Sequence, residues 1–113
     1  MAWDDSTYFC IGTWLKIENE LEVTRWINSL QARGGNQMEK AITTAFQTLG
    51  QIDNVIVICD GDVSPFNESS WAQYRNKYPE TRFHFVAVGS GSDFSEMKKM
   101  ASIGNGSFTG TNL

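Results

Sequence analysis

Residues Val55 to Asp62 read VIVICDGD, and their reading decides the fold. Five apolar residues, four of them β-branched, run straight into Asp60-Gly61-Asp62. An apolar run of this length, closed by glycine, suits a strand buried on both faces of a parallel sheet. The two carboxylates then stand at the strand's C-terminal edge, where open α/β sheets place their ligand sites.

On either side of this strand the pattern alternates between helix and strand. Upstream, Thr7 to Trp14 (TYFCIGTW) is aromatic and β-branched and is expected to be a strand, and Leu15 to Glu20 either extends it or turns. Val23, Trp26, Ile27 and Leu30 recur at helical spacing and predict a helix over Glu22 to Gln31 that ends before Gly34-Gly35. The cleanest stripe is Met38, Ala41, Ile42, Ala45, Phe46 and Leu49. Asn36 is expected to cap that helix, with Glu39 completing a capping-box-like pattern and Gly50 stopping it. Downstream, Trp71, Tyr74 and Tyr78 predict a helix stopped by Pro79, and Phe83 to Val88 (FHFVAV) a strand. Asp93 and Glu96 open a last helix whose core face is Phe94, Met97, Met100 and Ala101, before a short strand around Ser107-Phe108. Alternating strands and helices predict one α/β domain over residues 1–113, an open, doubly wound, mostly parallel sheet with helices on both faces.

Composition narrows the function classes. The chain has 113 residues, 41% hydrophobic and 12% aromatic, with a net charge of −4, which leaves room for one modest core. No cluster of Lys or Arg supplies the electrostatic footprint of a nucleic-acid binder, so nucleic acid is not expected as a partner. No apolar stretch approaches the ~20 residues that span a bilayer. The N-terminus, MAWDDSTYF, lacks the basic-then-apolar layout of a signal peptide, so a cytoplasmic protein is expected. Cys10 and Cys59 both fall in expected strands and read as small core residues rather than a disulfide.

Four motifs in order resemble the von Willebrand factor type A domain. They are Gly34-Gly35-Asn36 opening a helix, a buried strand ending Cys59-Asp60-Gly61, the run FHFVAVGSGSD, and IGNGSF after the last helix. The resemblance covers nearly the whole chain. It implies a protein-binding module and a metal-ion-dependent adhesion site, in which Mg²⁺ is held by oxygen ligands from three loops and an open position takes a partner's carboxylate. By position, Asp60 matches the Asp of the family's Thr-Asp-Gly loop, and Asn36 stands where the Gly-Gly-Thr loop has its Thr. Asp62, Gly35 and Ser64 fall where the partner would touch. Cys59 replaces the Thr of Thr-Asp-Gly. No counterpart of the family's Asp-x-Ser-x-Ser loop is found, since Asp4-Asp5-Ser6-Thr7-Tyr8 has too little chain before it and no helix after it. The chain therefore reads as starting at the family's second strand, so the metal site is expected to be incomplete and Mg²⁺ weak. A missing central strand leaves backbone groups unpaired. That implies a homo-oligomer, a second chain that supplies the strand, or a sheet that closes on itself.

Other chemistry is weighed on the same residues. VIVICDGDVS also fits the opening motif of haloacid dehalogenase-like phosphohydrolases, with Asp60 as nucleophile, Asp62 as general acid and Mg²⁺ between them and a phosphate. That class needs a downstream Lys and an acidic metal loop; only Asp93 and Glu96 follow the Val88 strand. The resemblance also admits an RNA-associated, Ro-like relative. His84, the only histidine, alternates with Phe83 and Phe85 and reads as structural. Gly89-Ser90-Gly91-Ser92 precedes a helix and could cradle a phosphate, but it lacks the Gly-x-Gly-x-x-Gly spacing, Phe94 holding the last place.

Overall fold

The computed structural model describes residues 1–3, 6–31, 37–60, 68–89 and 94–111. They fall into two compact units, Met1–Gln51 and Ile52–Leu113.

In the first unit, β1 (Ala2–Trp3) pairs antiparallel with β2 (Thr7–Tyr8). The strand expected over Thr7 to Trp14 is thus only two residues long. Aromatic and β-branched propensity needs a facing ladder to become a strand, and β1 offers two residues of it. A 3-10 turn at Ile17–Asn19 leads into α1 (Glu20–Ser29), two residues ahead of the expected start. Its apolar stripe does not form a buried face: Leu21, Ile27 and Leu30 are exposed, and no residue of α1 is buried.

Helix α2 (Met38–Leu49) follows the expected stripe closely, burying Met38, Ala41, Ile42, Ala45 and Phe46. It packs against β2, and the Trp14 indole N–H donates to the Leu49 carbonyl at 3.3 Å. Gly50 ends the helix as expected. Its φ of +76° is open to glycine at little cost, and its N–H closes on the Phe46 carbonyl at 2.9 Å. The cap differs from the expectation: Gln37 occupies the N-cap position without a side-chain hydrogen bond, and Asn36 lies outside the described residues.

The second unit is an α/β layer built from β3 (Asn54–Cys59), α3 (Glu68–Asn76), β4 (Arg82–Val88), α4 (Ser95–Ile103) and β5 (Phe108–Thr111). The three strands are parallel in the order β3-β4-β5. Register places Val57, Phe85 and Phe108 in one row and Ile58, Val86 and Thr109 in the next. Alternation therefore gives one inner face of Val57, Phe83, Phe85 and Ala87, all buried, and an opposite outer face.

The helices cover the inner face. Trp71 of α3 is fully buried, with its ring 4.9 Å from Phe83 and 5.7 Å from Phe85, and its indole N–H donates to the Met100 carbonyl at 2.7 Å. Met97, Met100 and Ala101 of α4 are buried as their spacing predicts. Helix α3 stops at Asn76, and two tight-turn bonds carry the chain on to Tyr78 before Pro79. Helix α4 has Phe94 at its N-cap position with no side-chain bond; Asp93, expected to open it, lies outside the described residues.

Both helices of this unit lie on one face, and topology gives the reason. The strands advance in one direction, and successive parallel crossovers share one hand, so their helices fall on the same side. The outer face pays the consequence in exposure. Ile56 and Ile58 of β3 are 63% and 62% exposed. The expectation that this strand is buried on both faces therefore fails: it is buried on one.

Candidate functional site

The end of β3 is where the sequence places the chemistry. Asp60 follows the last strand residue and is exposed. Cys59, beside it, is half-buried, and its Sγ lies 3.9 Å from Met97 Sδ. That places the thiol against the hydrophobic layer, as a small core residue, and neither cysteine is in a disulfide. In the parallel register Cys59 stands beside Ala87, so Asp60 emerges level with the end of β4 and Gly89.

Of the other residues assigned to the site, Asn36, Gly35, Asp62 and Ser64 lie outside the described residues, as do Ser90, Gly91 and Ser92 of the glycine-serine loop. Trp71 is wholly in the core. Among the described residues no three His, Cys, Asp or Glu side chains gather where they could hold a metal ion. Octahedral Mg²⁺ calls for several hard oxygens, and of the expected donors only the Asp60 carboxylate is described. The described residues do not by themselves make such a site.

His84 has a definite structural part, as its place in the strand predicts. The Ser107 backbone N–H donates to Nδ1 at 3.0 Å, which leaves the ring proton on Nε2. Nε2 then donates to Asn54 Oδ1 at 3.1 Å. The Ser107 hydroxyl also lies 3.0 Å from Nδ1. One imidazole therefore ties the N-terminal ends of β3 and β4 to the residue that opens β5.

What sequence reasoning missed is the outer side of β3. Among the described residues β3 hydrogen-bonds to β4 alone, which leaves its other edge at the margin of the sheet. That margin carries Ile56 and Ile58 on the exposed face, and exposed Asp53 and Asp60 stand just before and just after the strand. An aliphatic run reads the same whether one face or two are covered, so no local signal could have found this.

No helix among the described residues is long and apolar enough to cross a membrane. No curated protein and no solved structure shows a significant match to the chain. A family model does: that of the von Willebrand factor type A domain, over residues 1–109. Its span takes in β1 to β4 whole and the start of β5. With that match over nearly all of its length and a parallel α/β sheet in its second unit, the chain belongs to the von Willebrand factor type A domain family.

Proposed function

We propose that this chain is a non-enzymatic module that binds a protein partner, with a metal-ion-dependent adhesion site that is incomplete and holds Mg²⁺ weakly. Members of the family are in general non-catalytic adhesion and interaction modules. The observation that carries the reading for this chain is the exposed aliphatic pair Ile56 and Ile58 on a strand at the sheet's margin, leading directly to Asp60. Two large aliphatic side chains side by side in water are the kind of surface that association removes from solvent. We infer a reducing, cytoplasmic setting as well, with Cys10 and Cys59 outside any disulfide.

Three measurements test it. Display of random peptides against the immobilised protein should enrich binders that are lost with Ile56→Lys or Ile58→Lys; enrichment unchanged by both variants counts against the surface. Titration calorimetry with Mg²⁺ should show no micromolar affinity at neutral pH. Micromolar binding abolished by Asp60→Ala would mean that the adhesion site is complete. Magnesium-dependent hydrolysis of a generic aryl phosphate, lost in Asp60→Asn, would replace the module with the phosphohydrolase alternative.

A further inference from the structure

The turn between α4 and β5 holds the chain's single Asn-Gly pair, Asn105-Gly106. Asn followed by Gly is prone to attack on its own side chain, because glycine puts no Cβ in the way of the peptide nitrogen. The reaction balances with water as its only co-reactant. The Gly106 nitrogen gives up its proton to base and adds to the side-chain amide carbon of Asn105, Cγ. A C–N bond forms, the bond from Cγ to its amino group breaks, and ammonia leaves, closing a five-membered imide. Water then opens the imide at one carbonyl or the other. One opening gives aspartate on an unchanged main chain. The other gives isoaspartate, in which the main chain runs through Cγ and is one carbon longer.

In the closed turn the Gly106 nitrogen is occupied. Asn105 stands at φ +55°, in the left-handed region, one residue past Gly104 at the helix C-cap. Its N–H donates to the Ser102 carbonyl at 3.2 Å, and the Gly106 N–H donates to the Ala101 carbonyl at 3.0 Å. These are the two bonds of a Schellman closure, which satisfies the last carbonyls of a helix. Left-handed residues carry ψ of about +30 to +60°, and that turns the next nitrogen away from the residue's own Cγ. Forming the imide requires the peptide to turn over, which breaks the bond to Ala101. Asn is among the few residues besides Gly that accept this position. The side chain that fits the closed turn is therefore the one that reacts when the turn opens. Asn105 is exposed, so water and base reach it.

Gly106 sets the consequence. It lies so close to β4 that a Cβ on it would stand 2.6 Å from the Phe83 carbonyl carbon. On either side of the pair, the Gly104 and Ser107 carbonyls accept from the Phe83 and Phe85 N–H groups at 3.0 and 2.9 Å. An added main-chain carbon between residues 105 and 106 has no room in a connection anchored at both ends.

We propose that Asn105 is a deamidation site latched by the C-terminal closure of α4. It reacts only while that closure is open, and its isoaspartyl product cannot reclose against β4, so a passing opening becomes a permanent one.

Peptide mass mapping of the full chain at mildly alkaline pH follows the amide-to-acid gain at Asn105. The folded chain is expected to deamidate more slowly than the same chain held unfolded in guanidinium chloride, by about tenfold or more. Ser102→Gly, an exposed change that weakens the last turn of α4 without touching the core, should speed the reaction several-fold in the folded chain. Asn105→Gly should abolish the gain and keep the thermal midpoint of the parent, since glycine accepts the left-handed position. The isoaspartyl form, isolated from aged chain by chromatography, should unfold at a lower temperature than Asn105→Asp, which carries the same charge on an unaltered main chain. Amide hydrogen exchange at Phe83 and Phe85 should quicken in the isoaspartyl form and not in Asn105→Asp. Equal rates in the folded and unfolded chain, or a Ser102→Gly rate no faster than the parent's, overturn the latch and with it the proposal. An isoaspartyl form as stable as Asn105→Asp, with Phe83 and Phe85 as well protected, overturns it equally, because the longer main chain would then have reclosed.

Discussion

Gly106 is the residue whose replacement the structure judges most severely. It lies in the IGNGSF run that joins α4 to β5, pressed against the backbone of β4. A Cβ built there would run into the Phe83 carbonyl oxygen and lie 2.6 Å from its carbon, where ordinary contact begins at 3.4 Å. The obstacle is main chain on a central strand, so no side-chain rotation relieves it. The connection must retreat, and three bonds hold it in place: Phe83 N–H to the Gly104 carbonyl at 3.0 Å, Phe85 N–H to the Ser107 carbonyl at 2.9 Å, and Gly106 N–H to the Ala101 carbonyl at 3.0 Å. Losing two of them costs about 2 kcal/mol. Overpacking strain adds about 1–3 kcal/mol. Alanine returns about 0.4–1 kcal/mol by restricting the unfolded chain. Gly106→Ala is therefore expected to destabilise by about 3 kcal/mol, lowering the thermal midpoint by about 12 °C for a chain of this size. Gly12→Ala is the control, since a Cβ there meets nothing within 4 Å. Its effect should stay within about 0.5 kcal/mol. Urea and thermal unfolding followed by far-ultraviolet circular dichroism measure both. A midpoint for Gly106→Ala within about 2 °C of the parent would refute the close approach of this connection to β4.

Other substitutions probe the core and its polar contacts. Phe46→Ala, in the buried stripe of α2, should cost about 3–5 kcal/mol, whereas Ile27→Ala, at a residue 54% exposed on α1, should cost well under about 1 kcal/mol; equal shifts in urea midpoint would show that α1 is buried after all. Thr81 is 1% exposed and donates its hydroxyl to the Ile52 carbonyl, joining the start of β4 to the residues before β3. Thr81→Val should cost about 1–3 kcal/mol by leaving that carbonyl without its donor, and Thr81→Ser should recover most of it; a Val variant as stable as the parent would contradict the bond.

Several elements were legible in the chain because their signals are local. The helical period from Met38 to Leu49 and the stop at Gly50 settle α2, the aliphatic run and the glycine after it settle β3, and the alternating FHFVAV settles β4 with its buried Phe83 and Phe85. The position of Asp60 at a strand's end follows from the same reading. Tertiary structure decided the rest. Val23, Trp26, Ile27 and Leu30 have the period of a buried helix, yet α1 buries none of them. TYFCIGTW has strand propensity, yet only Thr7 and Tyr8 find a ladder. Ile56 and Val57 are near-identical in chemistry, yet one is 63% exposed and the other 5%. The His84 clasp joins residues 30 and 23 positions away, which no window of sequence contains. Propensity and period are properties of a few neighbouring residues, and they fix which side chains share a face. Whether that face is covered depends on where distant elements pack, and here the common hand of two successive crossovers sets α3 and α4 on one side of the sheet and leaves Ile56 and Ile58 on the other.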